Sequence, residues 1–184
     1  YEDDFGWALV SIQDISARKK AEEYLHYLGT HDVMTGLFNR AYFEETIQKL
    51  ELSRKDPVGV IILDLNYLKK TNDTLGHQAG DKLIRRLAEV MIAAFNNGQI
   101  AARIGGDEFA VILPRTEESE MVDFIKQIHA LIEINNKYSR EPILSISAGF
   151  ATSSPGMSLE RVIQLADDAM YRSKAEYHHR RKDD

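Results

Sequence analysis

The chain of 184 residues contains no cysteine. That absence excludes a disulfide scaffold, a zinc–thiolate or iron–sulfur site and a thiol nucleophile. No apolar run approaches the roughly 20 residues that a membrane-spanning helix needs, and no signal-peptide pattern is present. We therefore expect a cytoplasmic segment without membrane contact, while a membrane anchor elsewhere in a longer parent chain stays open.

Basic residues are too few for a nucleic-acid-binding face. Lysine and arginine number 23 against 29 acidic residues, which gives a formal net charge of −6. A duplex-binding domain requires a positively charged surface, so we expect no nucleic-acid partner. The remaining composition, with 43% hydrophobic and 28% charged residues, is typical of a globular domain that buries its own core.

Hydrophobic periodicity predicts alternating strands and helices along the chain. The predicted strands cover residues 5–12, 58–65, 99–104, 109–113 and 143–151. The predicted helices cover residues 17–28, 41–52, 80–95 and 121–134, followed by a last helix that starts after an N-cap at Ser158. The two runs on either side of Gly105–Gly106 predict a β-hairpin. This order predicts an α+β fold, an α/β sandwich in which helices flank a central, mostly antiparallel sheet.

The predicted helix over residues 17–28 starts after an N-cap at Ser16 and carries a narrow apolar stripe. Its apolar residues recur at spacings of four, three and four, as in a coiled coil, but over less than two heptads. Two interpretations therefore stay open. The helix either packs on the surface of its own domain or pairs with the same helix of a second chain.

Two groups of acidic residues stand at predicted strand ends. Asp64 closes the most apolar strand, and Asn66 follows it as a candidate cap of a short helix. Asp107 and Glu108 lie at the tip of the predicted hairpin. If the hairpin adjoins the apolar strand, the carboxylates of Asp64 and Asp107 meet beside a helix N-terminus, which would suit Mg²⁺ and phosphate. The alternative is an ordinary solvated hairpin tip and a helix-capping aspartate.

The segment from Asn72 to Asp81 combines an amide, an imidazole and carboxylates. If the Asn72 amide and the Asp81 carboxylate converge on one ligand, they could recognise the donors and acceptors of a purine edge. The alternative is a helix–helix turn in which Asp73 and Asp81 are caps and Gly76 and Gly80 supply the turn geometry. His77 is then a turn residue, because no second His or Cys stands at zinc-ligand spacing.

Five blocks of sequence, taken together, resemble the GGDEF-domain diguanylate cyclase family. The hairpin tip reads Gly-Gly-Asp-Glu-Phe over residues 105–109. The other blocks lie at residues 31–40, 64–81, 146–149 and 166–174, in the family's order and spacing. The resemblance covers residues 30–176. It implies a palm-like nucleotidyl cyclase fold with the motif on a β-hairpin.

The resemblance also implies a reaction. Members of this family condense two GTP molecules into cyclic di-GMP and release two pyrophosphates, with Mg²⁺ or Mn²⁺ at each site and two domains facing each other as a homodimer. The alternative is a catalytically silent module that binds GTP and regulates a partner. A third interpretation, another palm-like nucleotidyl cyclase or a polymerase fragment, is disfavoured by the guanine-type pair Asn72 and Asp81 and by the lack of a basic groove for a template.

Family roles carry over to this sequence position by position. The resemblance assigns the metal to the carboxylates of Asp64 and Asp107 and the carbonyl of Leu65, and catalysis to Asp107, as the base, and Glu108. It assigns substrate binding to Asn72 and Asp81 at the guanine, to His77, to the backbone of Tyr67, Leu68 and Lys69, and to Lys174 at the phosphates. Carboxylates suit divalent metals, and N–H and ammonium groups suit phosphate.

Three parts of the sequence depart from the family pattern. Asn66 stands where a second Asp is frequent, which removes a charge near the metal but leaves the two metal-binding carboxylates intact. His178 stands where an Arg frequently binds phosphate, so the affinity for triphosphate is in question. Asn96 and Gln99 replace the Arg and Asp of the family's product-inhibition site, so we expect no feedback through that site.

The first residues resemble the end of a PAS sensor domain. We divide the chain into a PAS-like tail over 1–15, a connector helix over 16–30, the GGDEF domain over 31–178 and a charged tail over 179–184. Because the chain starts at Tyr1 rather than Met, we expect an upstream sensor domain in the full-length protein. That sensor would control how two cyclase domains meet.

Overall fold

A computed structural model describes residues 14–53, 57–95, 98–139 and 142–180. The side chains of His178 and Arg180 are not described. The predicted strand over residues 5–12 and the position of Asn96 lie outside these ranges, so the interpretations attached to them stay predictions. No helix within the described ranges combines the length and apolarity of a bilayer-crossing segment.

The described residues form six helices and five strands. The helices are α1 (Ser16–Thr30), α2 (Arg40–Ser53), α3 (Leu68–Leu75), α4 (His77–Ala94), α5 (Glu118–Tyr138) and α6 (Leu159–Arg180). The strands are β1 (Phe38–Asn39), β2 (Val58–Leu65), β3 (Ile100–Arg103), β4 (Glu108–Pro114) and β5 (Ile146–Thr152). They form one sheet in the order β1-β3-β4-β2-β5, antiparallel except for the pair of β1 and β3. The predicted α+β fold with a mostly antiparallel sheet is confirmed.

Strand β2 lies inside the sheet and is buried along its whole length. Ile61 and Leu63 belong to the core formed with α4 and α5, whereas Val60 and Ile62 belong to the core formed with α2 and α6. Successive side chains of a strand point to opposite faces, so a strand covered on both sides needs a continuous apolar sequence. The polar residue Asp64 stands near the end of this run, at one edge of both cores.

Helix α6 packs against β5 at backbone distance. A Cβ atom at Gly149 would overlap the backbone nitrogen of Met170 and the carbonyl oxygen of Ala166. Both of those helix residues are buried. Lys174 follows Met170 by one helical turn and shares its face of α6. The close approach of α6 to Gly149 therefore fixes the position of the Lys174 backbone relative to the sheet.

Helix α1 buries none of its side chains against the described residues. It begins at Ser16, so the predicted N-cap is wrong by one residue, and the Asp14 carboxylate accepts the Ser16 N–H at 2.9 Å. Tyr24 and Leu25 are 60% and 67% exposed. Leu28, at the C-terminal end of the apolar stripe, is 37% exposed, so the described part of the domain covers the end of the stripe and leaves the rest exposed.

Helix α4 and strand β5 start elsewhere than predicted. α4 begins at His77, so Gly80 and Asp81 lie inside the helix and not at a turn or a cap. The predicted cap Asp73 likewise lies inside α3. The chain reverses at Gly76, whose φ of +83° lies in the left-handed region that glycine tolerates. β5 begins at Ile146. Two residues earlier, the Leu144 N–H and carbonyl hydrogen-bond to the Asn136 side chain near the end of α5 and not to a neighbouring strand.

Gly149→Ala should destabilise the protein, because the added methyl group has no space between β5 and α6. We expect the free energy of unfolding to fall by about 2–3 kcal/mol or more. Gly29→Ala in α1 is the matched control, since a Cβ there meets nothing within 4 Å, and a gain of roughly 0.5 kcal/mol is expected. Urea unfolding followed by circular dichroism measures both. Wild-type stability of Gly149→Ala would contradict the close packing of α6.

Candidate functional site

The carboxyl end of β2 and the tip of the β3–β4 hairpin lie side by side at one edge of the sheet. β2 and β4 are antiparallel neighbours in which Asp64 stands opposite Glu108. The Leu65 N–H donates a hydrogen bond to the Asp107 carbonyl at 2.9 Å. The hairpin therefore adjoins the apolar strand, and Asp64 and Asp107 come from neighbouring strand ends.

Asp64 is buried and forms an ion pair with a lysine of the last helix. Its side chain is 6% exposed, and its Oδ2 lies 2.7 Å from Nζ of Lys174, whose side chain is 32% exposed. Oδ1 of the same carboxylate is buried as well. A carboxylate removed from water needs a compensating charge. The Lys174 ammonium supplies that charge.

A pocket of about 410 Å³ opens beside this ion pair. It is lined by Leu65, Tyr67, Leu68, Lys69, Lys70, Asp73, Asp107 and Lys174. Six of these residues have roles implied by the family resemblance. Lys70 and Asp73 were not predicted as site residues, although two consecutive lysines after a strand end are a sequence signal for Lys70. With three lysines in its lining, the pocket suits an anionic ligand.

The turn between β2 and α3 places a helix N-terminus at this pocket. Tyr67 adopts a left-handed conformation with φ of +62°, which is uncommon for a residue other than glycine. α3 begins directly after it at Leu68, and the N–H groups of a first helical turn have no partner inside the helix. The same end carries the positive pole of the helix dipole. Together with Lys69 and Lys174, this turn can bind a phosphate group.

Asn66 does not cap α3, which corrects the prediction from the sequence. Its buried side chain faces β5. The Ser147 hydroxyl donates to Asn66 Oδ1 at 2.9 Å, and Asn66 Nδ2 donates to the Ser145 hydroxyl at 3.2 Å. The N-cap position belongs to Tyr67, where no side chain caps the helix. The Asn66 amide thus fastens the end of β2 to β5 and its preceding residue.

The residues that the resemblance assigns to guanine, Asn72 on α3 and Asp81 in the first turns of α4, are not part of the lining of the 410 Å³ pocket. Asn72 packs on Gly80, where a Cβ would overlap the amide oxygen. That oxygen, Oδ1, is buried without a hydrogen-bond partner among the described residues. Asp81 is half-buried and His77 is exposed. A buried amide oxygen without a partner is a group that a bound ligand can satisfy.

The structure separates the two acidic residues of the hairpin tip. Asp107 lines the pocket beside α3, whereas Glu108 is exposed and lines a second pocket of about 740 Å³ that also includes Arg40. A Cβ at Gly105 would contact the Glu108 carboxylate, so this side chain lies over the turn. The catalytic role that the resemblance implies for Glu108 stays a prediction.

Arg103 fastens the hairpin tip to the start of the domain. Its Nε donates to the Gly105 carbonyl at 3.1 Å, and its Nη2 donates to the Gly106 carbonyl at 2.9 Å. Its Nη1 lies 3.3 Å from Oδ1 of Asp32, which also accepts the Thr35 hydroxyl at 2.6 Å. Sequence analysis missed this connection, because its partners lie 71 residues apart. We refer to the Asp32–Arg103 pair as the hairpin clamp.

The donors at this sheet edge fit a divalent metal such as Mg²⁺. Among the described residues, no cluster of three or more His, Asp or Glu side chains could hold a metal by itself. Mg²⁺, however, is usually bound by one or two carboxylates together with water and substrate phosphates. Asp64 and Asp107 supply such a pair on adjoining strand ends. The buried Asp64 carboxylate, which requires a cation beside it, is consistent with this use.

Comparison with known protein families shows to which family this chain belongs. The model of a family described as "Diguanylate cyclase, GGDEF domain" matches residues 29–180. The chain belongs to the GGDEF diguanylate cyclase family. The matched range includes β2, the hairpin, α3, α4 and α6, which together carry the whole candidate site.

Known GGDEF proteins are similar over most of this chain. It is 31% identical to diguanylate cyclase DgcM of Escherichia coli K12 over 169 residues, which cover 90% of this chain and 41% of DgcM. It is 34% identical to the cyclic di-GMP phosphodiesterase PdeR of Escherichia coli K12 over 169 residues, which cover 90% of this chain and 26% of PdeR. The chain thus spans less than half the length of these curated relatives.

The fold also matches solved GGDEF structures. The crystal structure of the coiled coil and GGDEF domain of DgcB from Caulobacter crescentus, in complex with c-di-GMP, superimposes with a TM-score of 0.78. The two chains are 30% identical, and the match covers 88% of this chain and 89% of the DgcB chain. The architecture described above is therefore that of a GGDEF domain.

A double-mutant cycle on the hairpin clamp should show coupling between Asp32 and Arg103. Their side chains are 25% and 14% exposed, so we expect a coupling energy of about 1–2 kcal/mol from the unfolding of Asp32→Ala, Arg103→Ala and the double variant. The exposed Asp123–Lys126 pair, at 77% and 71%, is the matched control, with an expected coupling of about 0.5 kcal/mol or less. Equal coupling in both pairs would contradict the clamp.

The pKa of Asp32 predicts a loss of stability in acid. Burial raises the pKa of Asp32, but the hydrogen bonds from Thr35 and the charge of Arg103 together hold it below its ordinary value. Such a carboxyl group stabilises the fold above its unfolded-state pKa of about 3.9, and this contribution disappears as the pH falls through the lower folded-state pKa. The stability difference between wild type and Asp32→Asn should therefore be constant down to about pH 5 and shrink below about pH 4. Urea unfolding across this range measures it, and a difference that grows on acidification would contradict the assignment.

Proposed function

We propose that this GGDEF domain is an active diguanylate cyclase, which condenses two GTP molecules into cyclic di-GMP and two pyrophosphates. The observation that carries the proposal is the meeting of Asp64, Asp107 and Lys174 at the N-terminus of α3. In each of two equivalent steps, a 3′-oxygen bonds to the α-phosphorus of the other nucleotide. The bond from that phosphorus to pyrophosphate breaks, and the hydroxyl proton passes to a base.

We assign the metal site to the carboxylates of Asp64 and Asp107 and the carbonyl of Leu65, for Mg²⁺ or Mn²⁺. All three residues lie at the end of β2 or in the adjoining hairpin. Their oxygen atoms are the donors that these hard cations prefer. When bound, the metal acidifies the attacking hydroxyl and neutralises negative charge on the α-phosphoryl group and the leaving pyrophosphate.

The phosphates and the reacting proton are assigned to groups around the 410 Å³ pocket. The backbone N–H groups of Tyr67, Leu68 and Lys69 and the ammonium of Lys174 bind the phosphates. Asp107 accepts the proton of the 3′-hydroxyl. Glu108 is the second catalytic carboxylate of the hairpin tip.

Asn72 and Asp81 are proposed to select guanine. A carboxylate accepts hydrogen bonds from the ring N–H and the amino group of guanine, whereas adenine does not present this pair of donors. The buried Oδ1 of Asn72 supports a ligand at this position. His77, exposed at the start of α4, contacts the substrate from the rim of the site.

The domain is proposed to act as a homodimer, because each copy supplies one of the two reacting nucleotides. The exposed stripe of the connector helix, residues 16–30, supports pairing of this helix with a second copy. We further propose that residues 1–15 end a PAS-like sensor in a cytoplasmic region of a longer protein. The sensor would control the relative placement of two cyclase domains. In each chain, this domain comprises residues 31–178 and is followed by a charged tail over 179–184.

A catalytically silent GGDEF module is the second candidate. The 34% identity to PdeR, which is named a cyclic di-GMP phosphodiesterase, favours this alternative, because similar chains occur in proteins named for the opposite activity. His178 at the position of a frequent phosphate-binding Arg also favours it. Such a module would bind GTP and regulate a partner without forming product.

Product analysis by mass spectrometry separates the two candidates. With α1 fused to a dimeric coiled coil, we expect the chain to convert GTP and Mg²⁺ into cyclic di-GMP. Asp107→Asn should lower the rate about 100-fold or more, because it removes a metal ligand and a base. Asp123→Asn is the matched control and should keep the wild-type rate, since Asp123 is exposed on α5, 3.0 Å from Lys126. An enforced dimer that binds GTP without forming product would contradict the enzyme and support the silent module.

A further inference from the structure

We propose that Lys174 is a built-in counter-ion of Asp64 that hinders metal binding until the nucleotide arrives. This inference rests on the proposed function, because it concerns the metal and phosphates of the same site. Its basis is the distance of 2.7 Å between Lys174 Nζ and Asp64 Oδ2, where the carboxylate side chain is only 6% exposed. One of the oxygen atoms that would bind the metal is thus engaged by an ammonium group.

The release of Lys174 requires no movement of its helix. α6 is held against β5 at Gly149, and Met170, one turn before the lysine, is buried. The lysine stem is flexible, its side chain is 32% exposed, and it lines the 410 Å³ pocket. Rotation of the side chain alone can therefore transfer the ammonium group from Asp64 into the pocket.

The Lys174 ammonium group opposes a metal ion that arrives at Asp64 alone. The charged residues of the lining are Lys69, Lys70, Asp73, Asp107 and Lys174. A divalent cation at Asp64 would displace the Lys174 ammonium and leave it near the metal and two other lysines, which is unfavourable. A nucleotide reverses this effect, because its phosphates accept hydrogen bonds from the displaced ammonium.

Metal and nucleotide consequently bind as a pair. Without nucleotide, Lys174 stays with Asp64 and the buried carboxylate remains compensated. With nucleotide, one ion pair is exchanged for two contacts, between Asp64 and the metal and between Lys174 and a phosphate. The coupling is reciprocal, so the nucleotide raises metal affinity by the same factor as the metal raises nucleotide affinity.

Binding of Mn²⁺ in the absence of nucleotide, measured from the electron paramagnetic resonance of the free ion, tests the proposal. We expect Lys174→Met to bind Mn²⁺ at least about tenfold more tightly than wild type, which is the effect that one adjacent charge has on the proton affinity of a carboxylate. Lys174→Arg keeps the charge and should bind Mn²⁺ as wild type does. Lys70→Met is the matched control, because Lys70 lines the same pocket but its Nζ lies over the Tyr67 ring, 6.0 Å from the ring centroid. This variant should change the Mn²⁺ affinity much less than Lys174→Met.

The second arm of the experiment starts with a measurement on the wild-type chain, which does not depend on the folding of any variant. After the Mn²⁺ that the analogue binds by itself in solution has been subtracted, the non-reacting analogue α,β-methylene GTP should raise the Mn²⁺ affinity of wild type about tenfold or more. In Lys174→Met this enhancement should be smaller, because no ammonium has to be displaced. The readout is metal binding and not turnover.

Equal Mn²⁺ affinity of wild type with and without the analogue would overturn the proposal. An equal gain in Mn²⁺ affinity in Lys70→Met and Lys174→Met would overturn it too, since the loss of any positive charge near the pocket would then explain the effect. Failure of the proposed function is a distinguishable result. A chain that forms no cyclic di-GMP but binds Mn²⁺ in a nucleotide- and Lys174-dependent way would support the counter-ion and contradict the cyclase.

Discussion

The ion pair between Asp64 and Lys174 joins the end of an interior strand to the last helix at a distance of 2.7 Å. A carboxylate at the end of a strand as buried as β2 is stable only if an opposite charge meets it there. That charge reaches Asp64 because α6 lies against β5, where Gly149 permits backbone contact. The pocket, the candidate metal donors and the left-handed turn at Tyr67 all lie around this pair, so the fold and the site share one constraint.

Much of the fold could be predicted from patterns within single elements. β2 was predicted at its observed bounds, because a continuous apolar run fits a strand that is covered on both faces. The hairpin followed from two apolar runs around paired glycines, and the N-cap Ser158 is confirmed by its hydroxyl, which accepts the Arg161 N–H at 3.3 Å. The site depended on the family blocks. From residue spacing alone, Asp107 could be either a metal ligand or part of an ordinary solvated hairpin tip.

Contacts between distant residues could not be predicted from the sequence. Asn66 is of a residue type that frequently caps helices, yet its side-chain amide forms hydrogen bonds with hydroxyl groups 79 and 81 residues later in the chain. The hairpin clamp joins residues 71 apart, and the Asp64–Lys174 pair joins residues 110 apart. The start of α4 was misplaced for a related reason. Position 80 requires glycine because the Asn72 side chain of α3 leaves no space there for a Cβ atom. The chain does not turn at this position, which lies inside α4.

The claim that the end of β2 is a metal and nucleotide site is tested most directly by crystallography. Crystals of the chain with Mn²⁺ and α,β-methylene GTP would locate the metal by its anomalous scattering. We expect one Mn²⁺ bound by the Asp64 and Asp107 carboxylates, with the Lys174 ammonium on a phosphate and the guanine between Asn72 and Asp81. A bound nucleotide whose Mn²⁺ contacts neither carboxylate, with Asp64 still paired to Lys174, would contradict it.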